Sequence, residues 1–215
     1  MKVLFIEAVK KKNLNFEQLS QLEKLPGKSI SLFYSIQYKK QAEQVKNFLE
    51  KNKRKILIFK QVLGCSILSS NIKNSDSILL IGSGRFHALS IASHLAPVID
   101  KEDKEIYIFE QGKLEKISKE EIAKMRNRKK AALSKFYSAD EIGIIVSTKL
   151  RQQKMNEAFQ LKKKLEKKGK KAFIFLADNI NTNELENFSC RAWVNTACPG
   201  LIFDNANIIN IDDIK

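Results

Sequence analysis

The strongest constraint on the fold is a regular alternation of apolar strands with amphipathic helices along the 215 residues. Strands are predicted at residues 2–8, 29–35, 55–59, 77–81, 106–109, 141–147, 171–176, 192–195 and 207–211. Helices are predicted between them at residues 16–25, 37–51, 85–95, 118–137, 151–168 and 181–188. This alternation is typical of parallel sheets joined by right-handed crossovers. We therefore predict an α/β fold of two similar domains, each a small parallel β-sheet flanked by helices.

The domain boundary is predicted where the positive charge rises, near residue 116. A long basic helix follows, and Ser118 with Glu121 three residues later forms the sequence signature of a capping box. This division gives one domain at residues 1–115 and a second at residues 116–215. Each half runs strand, helix, strand and places a cysteine just after a strand, which is a weak internal repeat.

Composition excludes several classes of protein. Hydrophobic residues make up 43% of the chain, enough to fill real cores, yet no apolar run is long enough to span a bilayer. The first seven residues lack the pattern of a signal peptide, so we expect a cytoplasmic protein without a membrane partner. Three cysteines without a secretion signal argue against a disulfide framework and leave free thiols, a metal site or a cluster open.

The formal net charge of +15 leaves two interpretations open. It fits a nucleic-acid or ribosome partner. It also fits lysine-rich helix faces that are merely solvated, as in residues 161–168. No basic motif interleaved with aromatic residues, of the kind that binds RNA, occurs in the sequence.

Two of the cysteines follow predicted strands. Cys65 comes after the strand at 55–59, and Gly64 before it lets the backbone turn tightly, while Cys198 follows the strand at 192–195. Ligands of open α/β sheets bind at this carboxyl end of the strands, where thiolates can ligate iron. A single cysteine is more often a small buried apolar residue. The spacing of this pair also matches no local zinc site.

Two polar turns follow strands as well. Residues 82–87 form a glycine-rich turn whose free N–H groups suit an anion, although His87 stands where a dinucleotide fingerprint has its third glycine. A plain tight turn explains this segment equally well, and an isolated histidine is more often a packed or capping residue than a catalyst. Ser147, Thr148 and Lys149 suit a carboxylate or phosphate, or else an ordinary helix cap.

In this order and spacing, these segments resemble the diphthamide synthase family, the 2-(3-amino-3-carboxypropyl)histidine synthase catalytic subunit of archaea and its eukaryotic relatives. The resemblance covers nearly the whole chain. The segments that carry it are residues 3–8 (VLFIEA), 36–38 (IQY), 61–65 (QVLGC), 82–89 (GSGRFHAL), 143–149 (GIIVSTK) and 193–199 (WVNTACP).

The resemblance implies three similar α/β domains around a central [4Fe-4S] cluster. One cysteine comes from each domain, and the fourth iron is left for S-adenosylmethionine. It further implies cleavage of the sulfonium to a 3-amino-3-carboxypropyl radical, which adds to a histidine of translation elongation factor 2. This transferase reaction is the first step of diphthamide synthesis. The enzymes of the family resemble radical SAM enzymes in their cofactor only.

Carried over residue by residue, the resemblance implies that Cys65 and Cys198 ligate the cluster, so we expect their thiols to approach each other. Cys190 matches no family position and is interpreted as an ordinary thiol. No catalytic residue is assigned. The residues implied to line the S-adenosylmethionine pocket are Gln37, Gly82, Ser83, Gly84, His87, Ser147, Thr148 and Lys149.

Three departures from the family pattern leave alternative functions open. Gly200 stands where the family has arginine after Cys-Pro, and residues 150–152 replace the usual Pro-Gly-Gln. The family's first domain, with its cysteine, has no counterpart in the sequence. We therefore expect a separate chain to supply that domain and the third cysteine, docking beside residues 2–8 in a homo- or heterodimer. A non-catalytic partner subunit, or a basic RNA- or ribosome-binding module that reuses the fold, are the alternative functions.

Overall fold

The computed structural model describes residue 6 and residues 8–62, 74–85, 87–92, 105–150 and 152–214. The chain divides into two compact units, Met1–Ala123 and Lys124–Lys215. This division lies within a helix that begins just after the boundary predicted near residue 116. The α/β class is confirmed, because each unit contains a mainly parallel sheet flanked by helices.

Unit 1 has a five-stranded sheet in the order β2-β1-β3-β4-β5. All neighbouring strands are parallel except β5, which runs antiparallel to β4. In chain order its elements are α1 (Phe16–Ser20), β1 (Ser29–Tyr34), α2 (Lys39–Lys51), β2 (Lys55–Gln61), β3 (Ser77–Ile81), α3 (residues 87–92), β4 (Glu105–Glu110), β5 (Lys113–Lys116) and the start of α4 (Lys119–Ser138).

Unit 2 has a four-stranded parallel sheet. After the rest of α4, its elements in chain order are β6 (Glu141–Ser147), α5 (Met155–Glu166), β7 (Lys171–Ala177), β8 (Ala192–Asn195) and β9 (Ile208–Asn210). The strand order is β7-β6-β8-β9. Short 3₁₀ helices precede α2 at Ile36–Tyr38, link β7 to β8 at Thr182–Asn187, and follow β8 at Pro199–Phe203.

Local side-chain chemistry starts two of the helices. Asn15 Oδ1 accepts from the N–H of Gln18 at 2.8 Å, and Gln18 Oε1 accepts from the N–H of Asn15 at 3.0 Å, which completes a capping box. The same reciprocal pair forms between Ser118 and Glu121 at the start of α4, as predicted. These bonds satisfy N–H groups that a helix leaves without intrahelical partners.

Several predicted bounds differ from the observed ones. The helix predicted at 16–25 ends its α-helical part at Ser20 and continues as a 3₁₀ helix over Gln21–Lys24. The helix predicted at 151–168 spans only Met155–Glu166. Most of the strand predicted at 2–8 lies outside the described residues, and Ile6 is exposed and outside any strand. None of the described helices is long and apolar enough to cross a membrane.

The sheet of unit 2 is packed on both faces. One face packs against α4 and α5, where Phe136, Ala158 and Leu165 are buried against β6 and β8. The other face is built around Trp193, whose ring lies edge-on to Phe175 at a centroid distance of 4.7 Å. Gly143, on the central strand β6, leaves the space that the Trp193 ring occupies.

Candidate functional site

Both sheets have a point where the direction of the connections reverses. In unit 1 the chain passes from β1 to β2 on one side and then to β3 on the other. In unit 2 it passes from β6 to β7 on one side and then to β8 on the other. Open α/β sheets bind ligands in the crevice beyond the carboxyl ends of the strands at such a switch point.

The sequence-predicted site residues that the structure describes lie near these two points. Gln37 follows β1, and the turn at residues 82–85 follows β3. Ser147 ends β6 and residues 148–149 follow it, and Cys198 follows β8. Strand order therefore brings the motifs of each unit to one crevice, within that unit.

In unit 1 the backbone around the switch point is tightly tied. The N–H of Ser35 donates to the carbonyl of Ile81 at 3.1 Å, which joins the ends of β1 and β3. Gln37 is exposed, and its carbonyl accepts from the N–H of Lys10 at 2.7 Å. Gln37 therefore follows β1 with its backbone tied to Lys10 and its side chain exposed.

The glycine-rich turn already holds a carboxylate from its own unit. Gly84 has φ of +71°, a conformation that favours glycine, and its N–H donates to Glu110 Oε2 at 3.0 Å. Ser83 is exposed while Gly82 is buried. A second anion at Gly84 would meet the charge of Glu110, so this part of the crevice favours a cation.

The two other ionisable groups near this turn are also constrained. Arg85 pairs with Glu121 at 2.5 Å and with Glu115 at 3.0 Å. His87 is half-buried, and burial lowers its pKa, which favours the neutral imidazole.

In unit 2 the loop after β6 presents a positive charge. Ser147 is buried and its Oγ accepts from the N–H of Lys149 at 3.1 Å. Lys149 is exposed and its Nζ donates to the neutral amide oxygen of Asn179 at 2.7 Å. Thr148 Oγ1 donates to Asp178 at 3.0 Å.

The helix-cap interpretation of residues 147 and 148 is wrong, because α5 begins only at Met155. What remains is a buried hydroxyl that shapes the loop and an exposed ammonium on a neutral partner. This arrangement suits a carboxylate or phosphate.

The two cysteines near β8 have opposite environments. Cys198 is half-exposed at the carboxyl end of the strand and precedes the 3₁₀ helix at Pro199–Phe203. Cys190 is buried before the strand, and burial together with the negative charge of Glu141 raises its pKa. Because a reactive or metal-binding thiol has to be accessible, the half-exposed Cys198 is better placed as a ligand than the buried Cys190.

Cys65, the other predicted ligand, lies outside the described residues. Within the described ranges, no three His, Cys, Asp or Glu side chains are grouped so that they could hold a metal ion. The half-exposed thiol at a switch point fits one ligand position of a metal centre, and the described part of the chain supplies no complete set.

Sequence reasoning missed three side chains at these crevices. Glu110 ends β4 and holds Gly84, while Asn195 and Asn210 end β8 and β9 and contact the loop of Cys198. Their positions at the ends of predicted strands could have marked them as candidates. Their hydrogen-bond partners could not be predicted, because these depend on which strands are neighbours in the sheet.

Two mainly parallel sheets whose connections reverse direction, with polar loops at the switch points, define an α/β protein of the doubly wound class. The chain belongs to the family described as diphthamide synthesis protein, whose family model matches residues 1–208. The family predicted from the sequence is thus confirmed.

Two archaeal relatives are named 2-(3-amino-3-carboxypropyl)histidine synthase. The one from Pyrococcus horikoshii is 29% identical over 213 residues, covering 95% of this chain and 58% of the relative. The one from Methanocaldococcus jannaschii is 29% identical over 217 residues, covering 95% of this chain and 57% of the relative. This chain therefore spans less than two-thirds of the length of these relatives.

Solved structures agree with the fold. The crystal structure of Dph2 from Pyrococcus horikoshii matches with a TM-score of 0.73 and 26% identity, covering 92% of this chain and 59% of that chain. A structure of the same protein with a 4Fe-4S cluster matches with a TM-score of 0.71 and 25% identity over the same shares.

Proposed function

We propose that this chain takes part in the first step of diphthamide biosynthesis. In that step a 3-amino-3-carboxypropyl group passes from S-adenosylmethionine to a histidine of translation elongation factor 2. The observation that carries the proposal is the half-exposed thiol of Cys198 at the switch point of unit 2. It stands in a chain whose fold matches a protein described with a 4Fe-4S cluster. Because the protein substrate is a translation factor, we propose the cytoplasm as the compartment.

Cys65 and Cys198 would hold the cluster. When bound, the cluster supplies the electron that cleaves the carbon–sulfur bond of S-adenosylmethionine. A third thiolate would come from polypeptide outside residues 1–215, and we propose that a partner chain carrying such a domain supplies it in a homo- or heterodimer. A relative from Yarrowia lipolytica that is 31% identical over 147 residues, 67% of this chain and 32% of the relative, is named as subunit 1, which supports a multi-subunit assembly.

S-adenosylmethionine carries a carboxylate, an ammonium and a sulfonium, and the polar loops of each unit, taken separately, suit different ones of these groups. Lys149, exposed on a neutral partner, suits the carboxylate. The turn at Gly84, with Glu110 bound to it, suits a cationic group. Gln37 and His87 are proposed as uncharged neighbours of the ligand in unit 1.

Anaerobic reconstitution with iron and sulfide tests this function. A purified assembly of the chain with a first-domain partner is expected to bind about four iron atoms with the spectrum of a [4Fe-4S] cluster, and to cleave S-adenosylmethionine. The chain alone is expected to bind less iron and to cleave little.

Two results would contradict the proposal in different ways. A cluster that never binds S-adenosylmethionine would indicate a non-catalytic partner subunit, and absence of any cluster in the full assembly would reject the cofactor. If the chain alone modifies elongation factor 2 at the rate of the assembly, the partner requirement is wrong.

Replacing Glu110 with glutamine is expected to weaken S-adenosylmethionine binding about threefold, as fits one partly exposed charge contact. The reason is that the neutral amide keeps the shape of the side chain but loses the attraction for a cation. Isothermal titration calorimetry measures the change, with Glu115→Gln as a control that removes an exposed carboxylate of the same unit. Tighter binding by Glu110→Gln would show that the turn binds the carboxylate instead.

A further inference from the structure

We propose that Asn195 is a positioning residue for Cys198, and that its side-chain amide sets where the thiol is presented. This inference rests on the proposed function, since Cys198 matters there as a cluster ligand. The residue touches neither cluster nor substrate in this role. It acts through the backbone of the cysteine.

The Asn195 side chain makes three hydrogen bonds around the cysteine loop, and both of its N–H donors are used. It is the last residue of β8 and is only 2% exposed. Its Nδ2 donates to the carbonyl of Cys198 and to Asn210 Oδ1, both at 2.7 Å. Its Oδ1 accepts from the N–H of Ala197 at 2.9 Å. One buried amide thus closes the turn that carries Cys198 away from the strand.

The strand on which this amide stands is itself anchored. Thr196 is buried, and both its N–H and its Oγ1 donate to the carbonyl of Ile145 on β6, at 3.0 and 2.8 Å. Asn195 and Asn210 are opposite each other in the register of β8 and β9. Asn195 therefore lies in a backbone anchored to β6, and its amide is held by Asn210 of β9.

The backbone of Cys198 is held at further points. Its carbonyl also accepts from the N–H of Leu201 at 3.1 Å, where the 3₁₀ helix begins. Asn210 Nδ2 donates to the next carbonyl, that of Pro199, at 3.4 Å. With both carbonyls held, the backbone that carries the thiol is restrained by the amides of Asn195 and Asn210. A ligand whose backbone is already placed needs little reordering when a metal binds.

Asparagine is the residue type that this position requires. Aspartate has the same shape and keeps the acceptor for Ala197, but it has no N–H and would face two oxygens, those of Cys198 and Asn210. Asn195→Asp therefore removes the contacts to the cysteine while changing volume very little.

A matched control exists in the same unit. Asn205 Oδ1 accepts from the N–H of Asn207 at 2.8 Å, the same two-residue turn that Asn195 makes with Ala197. Its Nδ2 donates to the carbonyl of Thr182 at 3.3 Å, remote in sequence from the cysteine loop. Asn205→Asp therefore keeps its turn contact to Asn207, as Asn195→Asp keeps the contact to Ala197, and removes a side-chain amide donor without touching Cys198.

The experiment measures the rate at which iodoacetamide alkylates each thiol of the reduced, metal-free full chain, by mass spectrometry. Asn195→Asp is expected to raise the Cys198 rate several-fold, because the loop is released. Iron binding after reconstitution of the assembly is expected to weaken by about tenfold, the smaller end of the effect of losing a group that orients a metal ligand. Asn205→Asp is expected to leave both quantities at the wild-type values.

The buried Cys190 serves as an internal reference, because its alkylation reports general opening of unit 2. If the two thiols accelerate equally in Asn195→Asp, or if neither changes, the positioning role is wrong. Should Asn195→Asp fail to fold, Asn210→Ala removes the side chain that holds both the Asn195 amide and Pro199. Asn210→Ala must then raise the alkylation rate of Cys198 without raising that of Cys190, or the inference fails. The alkylation result stands even if the wild-type assembly takes up no iron, an outcome that would reject the proposed function instead.

Discussion

Replacing Cys198 with alanine is expected to abolish stoichiometric iron binding by the reconstituted assembly, and Cys65→Ala is expected to do the same. Cys190→Ala is expected to keep iron at the wild-type level. The reason is that a cluster needs thiolates at a crevice. Cys198 is half-exposed at the carboxyl end of β8, whereas Cys190 is buried before the strand, where burial raises its pKa. Iron analysis and the visible absorption of the cluster measure the difference.

The comparison between Cys190→Ala and Cys198→Ala is well matched, because these two cysteines lie before and after the same strand, β8. A strand spaces residues by about 3.3 Å, so side chains at its two ends cannot serve one metal centre. Equal iron content in all three cysteine variants would reject the ligand assignment. Loss of iron in Cys190→Ala alone would place the centre at the other edge of the sheet.

Gly143→Ala is expected to destabilise unit 2 by about 3 kcal/mol, the upper end of the usual cost of overpacking. Gly143 lies on the central strand β6, opposite Trp193 on β8. A Cβ there would lie 2.2 Å from two ring atoms of Trp193, which is 2% exposed and packed against Phe175. The ring cannot yield without disturbing the core, so the cost appears in the free energy of unfolding, measured by urea denaturation.

Gly82→Ala is the control for this prediction. A Cβ at Gly82 would meet Ser35 Oγ at 3.6 Å, an ordinary van der Waals distance, so stability should change by only about 0.5 kcal/mol. Combining Gly143→Ala with Trp193→Leu makes room for the new methyl group. The double variant should therefore lose less stability than the sum of the two single variants. Additive losses would show that the contact with Trp193 is not the cause.

The sequence alone was sufficient for the elements whose causes are local. The strands β3, β6 and β8 have the predicted bounds, because each is an apolar run closed by a turn. The capping box at Ser118 was readable because its partner Glu121 lies three residues away. The α/β class and the family followed from alternation and from motifs, which need no knowledge of neighbouring strands.

Contacts between distant residues could not be read in this way. The strand β5 carries only one apolar residue, Leu114, so no periodicity indicates it. It forms because Gln111 and Gly112 both adopt positive φ, which suits a tight hairpin that pairs the segment with β4. The contact of Glu110 with Gly84 likewise spans 26 residues and exists only because β3 and β4 are neighbours.

The candidate site shows the same division. The residues Cys198 and Lys149 were identified from motifs, but the exposure of Cys198 and the burial of Cys190 are tertiary facts. The amide of Asn195 reaches Asn210 only because β8 pairs with β9 in one particular register. Residue patterns predict which positions of a strand or helix are buried and where the local backbone turns. Which strands become neighbours, and hence which side chains surround a thiol, is decided by the packing of the whole sheet.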